Sequence, residues 1–227
     1  MTPDSETGHH APGITMSDPM VRDTVIGEGL DSMSLDGAGL DVVFRQARTH
    51  YAWQGTPVPE SMLRRIFDLA RMGPTSGNCN PMRVIFVATP EGKEKLRPGL
   101  KPGNVDKTMA APATAIVGTD MEFYRHITRL APHNAERVKA YEDDPDLTYR
   151  AAFRNATLQG AYMIIAARAL GLDCGPMSGF LHDVVDETFF AGTAVKSNFL
   201  INIGYGDREK LRPRGERFAF DEICRIV

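Results

Sequence analysis

The sequence lacks long apolar runs. In its 227 residues, no stretch approaches the roughly 20 consecutive apolar residues that a membrane-spanning helix requires. The longest candidate, Ala161–Ala167, is closed by Arg168. The N-terminus also has no basic segment followed by an apolar one, as a secretory signal would. We therefore expect a cytoplasmic protein with no membrane partner.

Cysteine is scarce, and no two cysteines lie close together in the sequence. The three cysteines, Cys79, Cys174 and Cys224, lie far apart and form no Cys-x-x-Cys motif, which argues against a disulfide framework or a zinc ribbon. The six histidines include no His-Glu-x-x-His motif. We expect no metal site, and we expect Cys79 to be a small reduced packing residue.

The signatures of several other protein classes are missing. No patch of alternating basic and aromatic residues is present to bind nucleic acid. Gly204-Tyr-Gly206 begins like a dinucleotide fingerprint but lacks the third glycine and a following helix. Gly175–Gly179 lacks the Gly-x-Ser-x-Gly spacing of a hydrolase nucleophile. These absences disfavour a nucleic-acid-binding protein, a classical dehydrogenase and a serine hydrolase.

Charge is distributed unevenly along the chain. Residues 1–40 contain seven acidic residues and one basic residue, with no periodic apolar pattern. We therefore expect residues 1–39 to form a tail that is disordered, or that becomes ordered only by docking on the rest of the chain. Subtracting the net charge of −6 in that segment from the whole-chain −3 leaves +3 for residues 41–227. Residues 40–227 are long enough for one domain with one core, and their slight positive charge suits a phosphate-bearing cofactor.

Hydrophobic periodicity predicts an α+β fold. We expect helices over residues 41–49, 59–72 and 148–170, and strands over residues 83–88, 113–118 and 199–204. The longest helix is rich in alanine and glycine, so we expect it to be buried on all sides, either in a monomer core or against a second chain.

A run of small polar residues, Gly73–Arg83, separates the second predicted helix from the first strand. The backbone of such residues can approach a flat polar ligand closely, although the composition also suits an ordinary connecting loop. We call this segment the cradle loop.

Several segments together resemble the flavin-dependent nitroreductase family. The resemblance runs from about Leu40 to the C-terminus and is closest to the malonic semialdehyde reductases of bacterial uracil breakdown. The segments that carry it are Ala47–Trp53, Thr56–Glu60, the cradle loop, Leu96–Lys107, Ala152–Asn155, Gly171–Phe180, Phe189–Gly192 and Lys196–Asp207.

The resemblance implies a central mixed or antiparallel sheet flanked by helices, in an intertwined homodimer with FMN at its interface. It places the FMN phosphate at Arg48, Thr49, His50 and Arg217, with Arg214 as a further candidate. Arginine binds phosphate bidentately, which favours this role for Arg48 over the alternative of a solvated surface charge. The family's usual second base near the start of this arm is replaced here by Tyr51.

By the same resemblance, three further groups surround the flavin ring. Asn104 and Lys107 would contact its pyrimidine edge, and Met177 would pack on the ring unless it is simply a core methionine. The ring contacts implied by the resemblance are Asn104, Lys107, Pro176, Met177, Ser178 and Gly179, together with Pro74, Thr75, Ser76 and Asn78 from the partner subunit.

The implied reaction is ping-pong hydride transfer from NADH or NADPH through FMN to malonic semialdehyde, giving 3-hydroxypropionate. Because FMN carries the hydride, no protein residue is assigned as catalytic. Two alternatives remain, a broad nitroaromatic or quinone reductase and a flavin-binding sensor or storage protein.

Residues 121–146 occupy the position of a lid over the flavin, and Arg129 and His133 are our candidates for holding a substrate carboxylate. Another polar lid residue could hold the carboxylate instead, or none of them; the other polar residues of the lid are Tyr124, Arg125 and Arg137. The sequence does not decide between NADH and NADPH.

Overall fold

The computed structural model of this chain describes residues 34–227. Residues 1–33 of the predicted tail lie outside the described residues. From Gly37 to Val227 the chain forms a single compact unit. The described residues include no helix that is both long and apolar enough to cross a membrane. They also include no group of His, Cys, Asp or Glu side chains arranged to hold a metal ion.

The core of this unit is an antiparallel four-stranded sheet with the strand order β1-β2-β4-β3. β2 is buried along its whole length and pairs with β1 on one side and β4 on the other. The prediction of three of these strands is confirmed, with ends that shift by at most four residues. The strands are β1, Met82–Val87; β2, Ala113–Asp120; β3, Asp173–Met177; and β4, Val195–Gly204.

β3 was missed by the sequence analysis because its composition is poor for a strand. It contains Gly175 and Pro176, both of which are unfavourable in strands. Proline is tolerated on an edge strand, where its missing N–H faces away from the sheet, and β3 lies at the edge. A Cβ at position 175 would lie 2.6 Å from the carbonyl oxygen of His50, so glycine permits a close backbone approach here.

Helices flank the sheet and connect its strands. The second predicted helix is confirmed as α2, which buries Leu63, Ile66 and Ala70 at helical spacing. The helices are α1, Gly37–Leu40; α2, Glu60–Ala70; α3, Pro90–Leu96; α4, Pro102–Met109; α5, Ile127–Leu130; α6, Arg137–Asp143; α7, Pro145–Ala169; α8, His182–Phe189; and α9, Phe220–Ile223.

The first predicted helix ends earlier than expected. α1 continues into a π-helical turn over Asp41–Arg45, and the predicted helical conformation to residue 49 is wrong. The backbone N–H of His50 donates to the carbonyl oxygen of Cys174 at 3.0 Å, and Thr49 forms a parallel bridge with Cys174. Pairing with the edge strand β3 therefore holds this segment extended.

The long helix α7 lies across the sheet. The carboxylate of Asp144 caps its start by accepting from the N–H of Leu147, and Gly171 follows its end at φ +78°. Glycine at position 160 lets α7 approach the ring of Phe199 closely. The expectation of burial on all sides is wrong within one chain, because four large α7 side chains remain exposed: Tyr149, Phe153, Leu158 and Tyr162.

Candidate functional site

Five arginines surround a cavity of about 370 Å³ beside the end of the π-helical turn. All the charged side chains among its lining residues are arginines. Thr49 and Tyr51 also line it, on the extended segment that pairs with β3. The arginines come from three separate parts of the chain and are Arg48, Arg168, Arg212, Arg214 and Arg217.

Within the described part of the chain, backbone carbonyls rather than carboxylates hold three of these arginines in place. Arg48 donates to the carbonyl oxygen of Arg212, and Arg214 donates to the carbonyls of Arg45 and Ala47 at 2.8 and 3.0 Å. Arg217 donates to the carbonyls of Gly215 and Glu216, both at 2.9 Å. The positive charge of the cluster is therefore left for an anionic ligand.

One donor in the cluster is both buried and unused by the described protein atoms. The Nε of Arg168 has no hydrogen-bond partner, and its Nη1 reaches only the carbonyl of Val43 at 3.4 Å. A buried guanidinium N–H without an acceptor is unfavourable, and an anion in the cavity would supply one. The residues present therefore fit a phosphate group.

His50 does not share this environment. Its side chain is buried, with Nε2 lying 3.3 Å from Asp173 Oδ1, and it is not among the cavity-lining residues. Burial lowers the pKa of His50, and the nearby Asp173 only partly opposes this effect. Glycine at position 206 makes room for the ring, since a Cβ there would lie 1.9 Å from His50 Nδ1. The structure thus separates the imidazole of His50 from Arg48 and Thr49, with which the sequence analysis grouped it.

Tyr51 joins the arginine cavity to Lys107 on α4. The ammonium of Lys107 lies 4.9 Å from the centre of the Tyr51 ring, and the guanidinium of Arg212 lies 4.7 Å from it. Both distances suit cation–π contacts. Burial and the charge of Arg212 lower the pKa of Lys107. The departure from the family pattern at Tyr51 therefore has a structural role in this chain.

The backbone of Lys107 is fixed by two side chains from other elements. Its carbonyl oxygen accepts from Trp53 Nε1 at 2.9 Å and from Asn202 Nδ2 at 3.3 Å. α4 is therefore anchored at the turn that carries this ammonium.

The two segments assigned to the flavin ring meet in the structure. The amide of Asn104 on α4 donates to the carbonyl oxygen of Gly179 at 2.6 Å, in the loop that follows β3. A Cβ at position 179 would lie 2.4 Å from that amide nitrogen, so only glycine fits without displacement. Pro176 and Met177 end β3, and Ser178 is exposed in the same loop.

Beneath this loop lies a buried polar network centred on Lys93. Its ammonium donates to the carbonyl of Thr108 at 2.8 Å and to the hydroxyl of Thr114 at 2.6 Å. Asn202 accepts from the Thr114 hydroxyl at 2.7 Å and donates to the Thr108 hydroxyl, which in turn contacts the sulfur of Met177 at 3.6 Å. Because the partners of Lys93 are uncharged, burial lowers its pKa to about 8.

The cradle loop has an unusual backbone. Gly77, Asn78 and Asn80 all have positive φ, between +42° and +58°. The hydroxyl of Thr75 accepts from the N–H of Asn80, and the N–H of Ser76 donates to the side chain of Asn155 on α7 at 2.8 Å. The loop is therefore held by its own side chains and by α7.

Other cradle-loop residues show a mixed pattern of burial. Pro74, Ser76 and Asn78 are exposed, whereas Cys79 is buried and its thiol pKa is raised by that burial. None of these residues is among those lining the arginine cavity. A role for the loop in binding the cofactor of a partner subunit stays a prediction.

The lid candidates lie next to the cradle loop. Arg129 on α5 and His133 in the following turn are exposed, and the carbonyl of Leu130 between them accepts from Asn78 Nδ2 at 2.8 Å. The amide nitrogen of Asn134 lies 3.2 Å from the position of a Cβ at Gly77.

The sequence analysis did not assign Arg168 or Arg212 to the site. Arg168 lies near the end of a helix about 120 residues after Arg48, and no local pattern joins the two. Arg212 was detectable, because it belongs to the basic run Arg212-Pro-Arg-Gly-Glu-Arg217.

Comparison with known proteins decides the family. The model of the nitroreductase family matches residues 44–205. This chain belongs to the nitroreductase family. A Cupriavidus pinatubonensis protein, provisionally named NADH dehydrogenase/NAD(P)H nitroreductase, is 54% identical over 190 residues, which cover 83% of this chain and 97% of that protein. A Burkholderia lata protein with the same provisional name is also 54% identical, over 85% of this chain and 98% of its own length.

Solved structures of the nitroreductase family share the fold. A Bacillus subtilis protein, again provisionally named a nitroreductase, superposes with a TM-score of 0.76 at 22% identity, covering 84% of this chain and 99% of that one. A structure from Exiguobacterium sibiricum, determined in complex with FMN, gives a TM-score of 0.73 at 19% identity, covering 86% and 98%.

Proposed function

We propose that this chain is an FMN-dependent NAD(P)H oxidoreductase. The observation that carries the proposal is the cavity of five arginines, which Tyr51 connects to Lys107 and so to the Asn104–Gly179 contact. A phosphate site and a polar ring-edge site in that arrangement suit the two ends of FMN. When bound, FMN accepts hydride from NAD(P)H and passes it to an acceptor.

Each group of residues has a distinct task in this proposal. The arginines hold the phosphate through charge-assisted hydrogen bonds, with Arg168 Nε gaining the acceptor that it lacks. The Lys107 ammonium, fixed by Tyr51 and by its anchored backbone, places positive charge where reduction of the ring builds up negative charge. Gly179 leaves room for the Asn104 amide, which would lie at the ring edge of the bound cofactor.

We also propose that the chain is a homodimer, as the resemblance implies. Large apolar side chains are exposed on α7, including Tyr149 and Phe153, and on the C-terminal segment, including Phe218, Phe220 and Ile226. Exposed apolar surface of this extent is typical of a subunit interface. A groove of about 1050 Å³ between α2 and the edge strand β1 offers a second apolar surface for such a contact.

For the acceptor, we propose malonic semialdehyde. Support comes from the branch of the family that the sequence motifs resemble, and from two groups in the lid, Arg129 and His133, that could pair with a carboxylate. The second candidate is a broad nitroaromatic or quinone reductase, which the provisional names of the relatives favour. The third, a flavin-binding sensor or storage protein, would need only the cofactor contacts.

Anaerobic stopped-flow absorbance separates these three functions. NADPH or NADH should bleach the flavin band rapidly, and malonic semialdehyde should restore it faster than p-benzoquinone or nitrobenzene does. Restoration by the quinone and nitro compound alone would support the broad reductase. Slow bleaching by both nicotinamides would support the sensor or storage protein.

The lid candidates give this experiment a matched test of substrate charge. A charge-assisted hydrogen bond is worth about 1.5–3 kcal/mol, or roughly tenfold to a hundredfold in affinity. Arg129→Ala or His133→Ala should therefore raise the KM for malonic semialdehyde at least several-fold and leave that for p-benzoquinone nearly unchanged. Equal effects on both acceptors would indicate altered flavin geometry, and no effect on either would remove both residues from the substrate site.

A further inference from the structure

A chain of three side-chain amides connects α7 to the lid. Gln159, buried on α7, accepts from the backbone N–H of Met82 at 3.0 Å and donates to Asn80 Oδ1 at 3.0 Å. Asn80 then donates to the backbone carbonyl and the side-chain oxygen of Asn78, at 2.8 and 2.7 Å. Asn78 in turn donates to the carbonyl of Leu130 on α5 at 2.8 Å. The cradle loop is therefore the middle of a continuous link.

The backbone at the two asparagines depends on this link. Asn78 and Asn80 have φ of +53° and +42°. Residues other than glycine adopt this backbone conformation at a cost in free energy. Such a conformation persists where the surrounding contacts determine it. Here those contacts are the hydrogen bonds made by the side-chain amides, together with the Thr75 hydroxyl that accepts from the N–H of Asn80.

Gln159 and Asn80 are engaged within the protein. The side-chain oxygen and nitrogen of Gln159 each have a protein partner, as do those of Asn80. Gln159 is also buried, which shields it from a ligand. Their position is better suited to holding the loop than to touching a cofactor or an acceptor.

We infer that Gln159 and Asn80 are positioning residues that set where α5 lies over the cradle loop and thereby set the preference for anionic over neutral acceptors. The inference rests on the proposed function, in which Arg129 on α5 and His133 beyond it face the acceptor. A lid released from Asn78 moves those two side chains away from a carboxylate but changes nothing for an uncharged acceptor.

Asn80→Gly is the decisive variant. Glycine adopts positive φ without strain, so this change removes the amide and keeps the backbone conformation accessible. Asn80→Ala removes the same amide but adds backbone strain, and so separates the two effects. Gln159→Met breaks the other end of the link, but it also removes the oxygen that accepts from the N–H of Met82. If that variant fails to fold, Asn80→Gly still tests the inference.

Two readouts apply to each variant. The first is the ratio of kcat/KM for 4-nitrobenzoate to that for nitrobenzene, two nitro acceptors of which one is anionic and the other neutral. We expect Asn80→Gly and Gln159→Met each to lower this ratio about three- to tenfold. Because both acceptors oxidise the same reduced enzyme, a change in the rate of flavin reduction by NADPH does not alter the ratio. We expect the double variant to match the single variants, since either change breaks the same link.

The second readout is hydrogen–deuterium exchange at residues 127–134, which requires no turnover. We expect faster exchange there in Asn80→Gly than in the parent. Unchanged exchange, an unchanged ratio, or additive effects in the double variant would overturn the inference. A parent protein that oxidises no NADPH would reject the proposed function instead, and the exchange measurement would then decide the positioning role alone.

Discussion

Lys107 combines features that a solvated surface lysine would not show. It is partly buried, its ammonium lies over the Tyr51 ring near the guanidinium of Arg212, and its carbonyl is anchored by Trp53. Holding two cations near one ring costs free energy in the absence of an anion. The arrangement is understandable if a ligand that becomes negatively charged binds beside it.

Lys107→Ala should leave the protein folded but slow flavin bleaching by NADPH or reduce FMN retention. The physical reason is loss of the positive charge placed at the ring edge. Lys101→Ala, at an exposed lysine immediately before α4, is the matched control. A Lys107→Ala protein that carries full FMN and bleaches at the parental rate would exclude this role.

Lys93 leads to a prediction about pH. Burial lowers its pKa to about 8, whereas the unfolded chain should have the ordinary value near 10.5. Below pH 8 the ammonium is charged in both states, and its burial costs on the order of 3 kcal/mol. Between pH 8 and 10.5 the folded state loses the proton first, so this cost falls as pH rises.

The free energy of unfolding of the parent, relative to Lys93→Met, should therefore increase from pH 8 to pH 10. Urea unfolding at pH 7, 9 and 10, at one protein concentration, measures this difference. Lys95→Met, at an exposed lysine on the same helix, should show no such trend. A constant difference between the parent and Lys93→Met at all three pH values would contradict the assignment.

Some residues of the candidate site could be predicted from the sequence, and others could not. The predicted roles of Asn104, Lys107 and Gly179 come from the family resemblance, because each residue lies in one of the short segments that carry it. Arg168 does not, since its place in the cavity depends on how α7 ends against the segment around Arg48. The burial of His50 against Asp173 also arises only when the chain pairs with β3.

Elements with strong periodicity were predicted well. α2, α7, β1, β2 and β4 have continuous apolar patterns that local sequence alone reveals. β3 and the extended segment at Thr49 do not, because their conformations depend on pairing with each other across a long stretch of chain.

At the scale of elements, the contact between α4 and the loop after β3 offers a sharp test with two glycines. Gly179→Ala would place a methyl group 2.4 Å from the Asn104 amide, whereas a Cβ at Gly103 on α4 meets no atom within 4 Å. Gly179→Ala should therefore weaken FMN binding about tenfold or more. Gly103→Ala should leave binding unchanged and raise the free energy of unfolding by roughly 0.5–1 kcal/mol, because alanine is the better helix former.

Fluorescence titration of the apoprotein with FMN measures the first effect, and urea unfolding measures the second. Equal FMN affinities for the two glycine variants would show that the Asn104–Gly179 contact is not part of the cofactor site.

At the scale of the whole molecule, several observations favour the prediction that the N-terminal segment is dispensable. It is acidic and lacks an apolar pattern, and the family model begins only at residue 44. The Cupriavidus relative is matched over 97% of its own length by 83% of this chain.

Deletion of residues 1–36 should therefore leave flavin content and turnover unchanged, because a segment of this composition cannot contribute a packed core. Flavin absorbance per mole of protein and the rate of NADPH oxidation measure both properties. Loss of FMN on truncation would show instead that this segment contributes to the site.

The central claim is that the arginine cavity holds the phosphate of FMN, and riboflavin, which lacks only that phosphate, tests it most directly. Titration of the apoprotein with both ligands should show FMN binding at least about a hundredfold tighter, as expected for two or more charge-assisted hydrogen bonds. Arg48→Ala should weaken FMN binding at least tenfold and leave riboflavin binding unchanged, while Arg64→Ala on α2 should alter neither. Equal affinities of the parent for FMN and riboflavin would contradict the account.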